Sequence, residues 1–217
     1  VNVLAGFTAE ERTSNEIGAS RENFPGTTDE LLFLSAGNDT TQMNFGGASE
    51  EALNSLLFRT NYTYNDRYLL TASMRVDKSS RFKPDNRTGY FPSIGLGWNA
   101  SREAFVQKLN IFERLKFKAS YGILGNQAIG NRYPTSAVVT SALYAVFGGG
   151  ESINTGATIL SASNPNLKWE SSKQSDIGVE AGFLDGRFSL EADWYVRNTF
   201  DIIADVPIPD YVGSQNN

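Results

Sequence analysis

Between Leu56 and Arg197 the chain repeatedly alternates apolar with polar side chains, in runs of roughly 9–11 residues. A period of two places every second side chain on the same face of an extended strand, so each run is read as a strand with one apolar and one polar face. Leu56, Phe58, Thr60, Tyr62 and Tyr64 share one side, with Leu57, Arg59, Asn61 and Thr63 on the other. After Asn65-Asp66 the pattern resumes with Tyr68, Leu70, Ala72, Met74 and Val76 opposite Leu69, Thr71, Ser73, Arg75 and Asp77. Two such runs joined by a tight polar turn predict a hairpin. Ile94, Leu96, Trp98 and Ala100 continue the grammar, as do Leu115, Phe117, Ala119, Tyr121 and Ile123. A last hairpin carries Ile177, Val179, Ala181 and Phe183 into a turn at Asp185-Gly186, returning through Phe188, Leu190, Ala192, Trp194 and Val196. Glu50 to Leu57 and Ser101 to Lys108 are the main helical candidates, expected to be short connectors at most. The fold class is therefore all-β and antiparallel.

The chemistry open to such a sheet is narrow. The 217 residues contain no His and no Cys, which removes Ser/His/Asp and Cys/His triads, the usual zinc sites and any disulfide. With 19 basic against 24 acidic residues the net charge is −5, so a nucleic-acid partner, which needs a basic face, is not expected. No run approaches the roughly 18 apolar residues of a spanning helix. The chain opens at Val1 directly in a strand-like run, without a signal peptide or Met, and is expected to be a piece of something longer.

Alternation alone does not say whether the apolar face meets a protein core or lipid. The connections discriminate. A long polar stretch precedes Ser55, Asn65-Asp66 is tight, residues 77–89 form a longer link, residues 101–114 a middle-length one, residues 125–167 a very long one, and Asp185-Gly186 is tight again. Longer loops on every second connection share one end of the sheet, as in an outer-membrane barrel with periplasmic turns and external loops. Tyr62, Tyr64 and Tyr68 beside the short turn, and Tyr90, Phe91 and Trp169 at the long-loop end, are read as interfacial aromatic girdles. Arg59, Arg75, Lys116, Lys118, Glu180, Glu191, Asp193 and Arg197 on the polar face suit a hydrated lumen. The alternative is a soluble carbohydrate-binding β-sandwich, which obeys the same period. About seven strands are counted, or eight or nine if Val138 to Phe147 contributes, and a free sheet edge in lipid leaves backbone groups unpaired. The membrane reading thus requires an arc of a larger closed barrel.

Several stretches narrow the class. They are Asn61-Tyr62-Thr63-Tyr64-Asn65-Asp66-Arg67-Tyr68-Leu69-Leu70-Thr71-Ala72-Ser73, Ser79-Ser80-Arg81-Phe82 and Gly89-Tyr90-Phe91-Pro92-Ser93-Ile94-Gly95-Leu96-Gly97-Trp98, followed by Leu115-Lys116-Phe117-Lys118-Ala119-Ser120-Tyr121-Gly122, Gly125-Asn126-Gln127 and Asn164-Pro165-Asn166-Leu167-Lys168-Trp169-Glu170. In this order and spacing, from about Leu56 to Asp205, the chain resembles the C-terminal part of the barrel in SusC/RagA-type TonB-dependent outer-membrane transporters of the Bacteroidota. The resemblance implies a multi-pass barrel of about 22 strands around an N-terminal plug, with residues 1–217 forming part of the barrel domain. It implies TonB-ExbB-ExbD as the energy source, acting through an N-terminal region and plug that this chain lacks. A SusD-like surface lipoprotein is the implied lid, outer-membrane lipid the surroundings, and an oligosaccharide (glycan uptake) or peptide the cargo. The final barrel strands are expected beyond Asn217.

No residue is assigned a catalytic, cofactor-binding or metal-binding role, no cofactor is called for, and the substrate contacts are unknown. The glycine-rich run Gly122 to Gly130 lacks the Lys-Ser/Thr of a phosphate loop and opens no helix, so a strand running into a loop explains it better. Glu191 and Asp193 lie two apart on one strand face, near the separation a glycosidase pair uses, with Arg197 as the expected neutraliser. A lumenal charge ladder is the stronger reading. Asp77, Asp85 and Asn86 lack regular calcium-ligand spacing and are read as a solvated loop. Ligand or partner contact is expected in residues 126–166, which carry Tyr133, Tyr144, Phe147 and Gly148-Gly149-Gly150.

Overall fold

The computed structural model describes residues 1–129, 135–147, 152–160, 163–184 and 186–204. The chain forms two compact units, one of Val1–Glu10 with the chain from Leu53 onward, the other Glu11–Ala52. Nine strands are present among the described residues: β1 (Asn2–Ser20), β2 (Met43–Tyr64), β3 (Tyr68–Ser79), β4 (Thr88–Asn99), β5 (Phe112–Asn126), β6 (Val139–Phe147), β7 (Ser152–Ile159), β8 (Glu170–Phe183) and β9 (Phe188–Phe200). Seven make one sheet in the order β1-β2-β3-β4-β5-β8-β9, while β6 and β7 pair as a separate hairpin. The Val138 to Phe147 run is therefore a strand of the long connection and not a member of the large sheet.

In the larger unit every pairing from β2 to β9 is antiparallel. The register stacks the two faces into rows. Tyr62, Leu70, Leu96, Ala119, Ile177 and Trp194 make one apolar row, and Arg59, Ser73, Ser93, Gly122, Gln174 and Arg197 one polar row. A soluble sandwich would cover the first of these. Among the described residues nothing does: Phe117 is 43%, Leu190 56% and Trp194 62% exposed. Large apolar side chains exposed along most of a sheet face are a surface made for a partner or for lipid.

The turns follow their sequences. Asn65 and Asp66 both take positive φ, 49° and 52°, a region these two side chains tolerate best, and Arg67 N–H closes the turn on Tyr64 O at 2.9 Å. The β8–β9 link runs from Leu184 (φ 53°) to Arg187 and includes Gly186 (φ 78°). Asp185, half of the expected turn pair, lies outside the described residues. Between β4 and β5 the connector is a 3-10 turn, Ala100–Arg102, and the short helix α1, Ala104–Gln107, as expected for residues 101–108. Spanning 100–111, it is longer than the β3–β4 link, 80–87, so the expected alternation of longer and shorter connections fails for this pair.

Two expectations fail on strand extent. The polar stretch before Ser55 is largely strand, since β1 reaches Ser20 and β2 begins at Met43. Glu50 to Leu57 is likewise strand and not helix, because from Leu53 its backbone is paired to β3, and that pairing outweighs the helix preference of Glu-Glu-Ala-Leu. In the smaller unit, Arg12 and Glu51 bridge at 3.3 Å. Arg21 Nη1 donates to Gly37 O at 3.2 Å and to the Asp39 carboxylate, and Arg21 Nη2 donates to Gln42 Oε1 at 3.3 Å. The loop holding these partners, residues 21–42, contains three 3-10 turns.

Candidate functional site

The polar face of β5 presents Arg114, Lys116 and Lys118 at alternate positions, facing β8 across the ladder. Lys116 is directly opposite Glu180. The Glu180 carboxylate receives Arg114 Nη2 at 3.0 Å, Lys116 Nζ at 3.7 Å and Lys118 Nζ at 3.8 Å. One row further, Lys118, Gly178 and Asp193 are register partners across three strands. Because Gly178 has no side chain, the Lys118 stem lies over β8, and its ammonium reaches Glu191 Oε1 at 2.7 Å and Asp193 Oδ1 at 3.0 Å on β9. A Cβ on Gly178 would sit 2.4 Å from Lys118 Cε and 2.0 Å from Asp193 Oδ1.

This geometry settles the carboxylate pair. Glu191 and Asp193 share one ammonium as a charge ladder does, and their partner is Lys118, not Arg197. Arg197 instead donates from Nε and Nη2 to Gln174 Oε1 at 3.1 and 2.8 Å. Nearer the loop end, Arg75 Nε is 2.8 Å from both oxygens of the buried Asp77, and its Nη2 reaches Ser55 Oγ at 3.3 Å. Asp77 thus belongs to β3 and this wall and not to the solvated loop expected for it, Asp85 lies in a 3-10 turn, and Asn86 donates to Asn166 O at 3.3 Å. Among the described residues no group of three His, Cys, Asp or Glu is placed to hold a metal ion. Gly95 and Gly97 floor a recess of about 290 Å3 on this wall, lined also by Leu69, Thr71, Lys116, Lys118, Ser120 and Asp176.

At the loop end, Phe82, Phe91 and Trp169 form a buried cluster, with ring centroids 5.2 Å apart for Phe82–Trp169 and 5.3 Å for Phe91–Trp169. This corrects the girdle expected there. Phe91 is opposite Arg75 and so has the parity of the polar face, whereas its neighbour Tyr90 points the other way and is 61% exposed. Only Tyr90 of the three is placed as an outward aromatic. Trp169 Nε1 donates to Arg87 O at 3.2 Å, and Arg81 Nη1 donates to Gln127 O at 3.2 Å and Ile129 O at 2.9 Å. The cluster pins the roots of the long loop. Gly122 to Asn126 lie within β5, so the glycine-rich run is strand up to that point and not a phosphate cradle, and Gly130 lies outside the described residues. Tyr133 and Gly148-Gly149-Gly150 also lie outside them, while Tyr144 is exposed on β6 and Phe147 ends that strand.

The opposite end carries a polar tie that sequence reasoning missed. Glu103 accepts Tyr68 Oη at 2.8 Å and Trp98 Nε1 at 3.3 Å on Oε1, and Arg67 Nη1 at 3.1 Å on Oε2. The Tyr68 hydroxyl and the Trp98 indole, helped by the Arg67 guanidinium, hold the Glu103 carboxyl below the usual carboxylate range, against an opposing contribution from burial. Asn99 Nδ2 donates to Asp66 O at 2.7 Å, fastening the connector to the tight turn. No local motif marks Glu103, because its partners are 5 to 36 residues away in sequence. Tyr62, Tyr64 and Tyr68 are exposed at this end, the last two stacked at 6.4 Å, as the girdle reading expects.

A bare apolar face, a self-paired charged face and loops rooted at one end are the parts of a transmembrane barrel wall. Residues 5–217 match the family model "TonB dependent receptor-like, beta-barrel". The chain is 38% identical over 205 residues to TonB-dependent receptor P26 of Formosa agariphila, covering 94% of this chain and 20% of that relative. It is 39% identical over 171 residues to TonB-dependent receptor SusC of Bacteroides thetaiotaomicron, covering 78% of this chain and 17% of that relative. Solved structures of the RagAB peptide transporter match 99% of this chain and 23% of theirs at 34% identity, with a TM-score of 0.81. The RagAB peptide importer in its open-open state matches at 0.78. The chain spans about a fifth of the length of these relatives. The sheet is accordingly a partial arc of a larger antiparallel barrel, and the chain belongs to the TonB-dependent receptor β-barrel family, alongside SusC and RagA-like proteins.

Proposed function

We propose that this chain is part of the barrel wall of an outer-membrane, TonB-dependent importer that takes up oligosaccharides or peptides together with a SusD-like surface lipoprotein. The observation that carries the reading is the division of one sheet between a bare apolar face and a charged face on which the cations of β5 are met by carboxylates of β8 and β9. The first suits hydrocarbon and the second an aqueous bore or a plug. The relatives are named as TonB-dependent receptors, and the Glu191 and Asp193 carboxylates are occupied by Lys118, which supports a structural part for the chain and transport as the chemistry. Energy enters through TonB-ExbB-ExbD acting on an N-terminal region and plug outside this chain. The chain's residues 1–217 then form one section of a single barrel domain.

The test is genetic and uses the full-length receptor. A strain lacking the receptor is grown on single glycans and on defined peptides as sole carbon or nitrogen source, with and without the complementing gene. Loss of growth on one class, restored by complementation but not by a receptor unable to engage TonB, supports the proposal. Undiminished growth on every glycan and peptide that the wild type uses, or a receptor found outside the outer-membrane fraction, overturns it.

A further inference from the structure

We propose that the apolar face carries a seat for one phospholipid of the inner, periplasmic leaflet, its acyl chain lying over Ala119 and its headgroup at the β4–β5 connector. The seat rests on the outer-membrane reading above and deepens it. In the row Tyr62, Leu70, Leu96, Ala119, Ile177, Trp194 the only small side chain is Ala119. A gap opens there. Tyr62, Leu96, Trp98, Phe117 and Ile177 surround Ala119 in a groove of about 510 Å3, with Gly97 and Gly178 contributing backbone to its lining. Trp98 and Phe117 stack beside it at 5.6 Å and 26°.

The occupant is argued from position and charge. The groove is continuous with the face assigned to hydrocarbon, so what fills it is a lipid chain and not a soluble ligand. It lies beside the tyrosines of the tight-turn end, the depth at which amphipathic rings meet headgroups. The connector at that end exposes Phe105, Leu109 and Ile111, and Phe105 touches Trp98 with ring centroids 6.5 Å apart. Lys108 is exposed on the same short segment, as is Arg102, which meets Asp66 at 2.9 Å. Apolar side chains that dip inward beside cations at phosphate depth are the arrangement that receives a phospholipid headgroup. The lipopolysaccharide of the opposite leaflet lies at the loop end and does not reach this groove.

The experiment purifies the full-length receptor from outer membranes, washes it in lipid-free detergent and counts bound phospholipid by native mass spectrometry. Wild type retains one phospholipid that survives washing. Ala119→Phe lowers its retention about tenfold or more, the contact of roughly two methylenes with the groove. Ala119→Leu gives a smaller loss in the same direction and serves if the larger side chain prevents folding, which heat-modifiable gel migration reports. Lys108→Gln weakens retention of anionic more than of zwitterionic phospholipid. A folded wild-type receptor that holds no phospholipid, one that holds only lipopolysaccharide, or an Ala119→Leu variant equal to wild type overturns the seat. A receptor absent from the outer membrane instead overturns the functional reading on which it rests.

Discussion

The two ends of the wall are fastened by opposite chemistry. At the loop end Phe82, Phe91 and Trp169 are buried against one another, and polar bonds such as Trp169 Nε1 to Arg87 O only finish the joint. At the turn end a carboxylate, Glu103, gathers a hydroxyl, an indole and a guanidinium, while Arg102 meets Asp66 at 2.9 Å in the open. The first joint has to hold long loops and does so with area removed from water. The second ties the β4–β5 connector to the tight β2–β3 turn, and does so with a few directional bonds. Burial gives the larger energies, so damage to the loop end is expected to cost more.

The largest effect is predicted for Trp169→Ala, which removes a buried ring contacting both phenylalanines. A loss of about 3–5 kcal/mol is expected in urea unfolding of the full receptor in detergent. A loss no larger than that of a turn-end variant would break the contrast. Next come two glycines in similar straits. A Cβ on Gly125 would lie 2.0 Å from Phe91 Cζ, inside the buried cluster, and Gly125→Ala should cost about 1–3 kcal/mol. Gly178→Ala meets Lys118 and Asp193 by their flexible ends and should cost less by the same assay, because those side chains can move into water.

The turn end is sharpened by acid. Glu103 titrates lower in the folded protein than in the unfolded chain, so its contribution is fully present above about pH 4.3 and is lost as pH falls through its lowered folded value. Melting temperature measured from pH 7 to pH 3 should therefore fall more steeply at the acid end in wild type than in Glu103→Gln. Superimposable curves would remove Glu103 from the joint. The smallest effect belongs to Arg102→Ala, where both partners of the ion pair are mostly exposed and about 0.5 kcal/mol or less is expected.

What was legible in the sequence was the face of each side chain along a strand. From Leu56 onward the alternation separated Phe117, Leu190 and Trp194 from Lys118, Glu191 and Asp193, as the structure does. It was silent on β1 beyond Glu10, where Glu11-Arg12-Thr13-Ser14-Asn15 is polar on both faces and carries no period. It also misplaced Phe91, whose neighbour Tyr90 drew both into one girdle although adjacent strand residues face opposite ways. Partners across strands were beyond reach. Assigning Lys118 and not Arg197 to Glu191 requires the register of three strands, and no single strand's pattern contains that.

The lysine lying over Gly178 has a mechanical corollary. It works as a crosswise hoop on adjoining staves, and the vacancy it needs is supplied by Gly178, the next bare position on that face of β8 being Gly182. Sliding that stave by two residues would bring Asp176 or Glu180 beneath the stem in place of bare backbone. A slip of β8 against β5 by one such step is therefore resisted at this crossing.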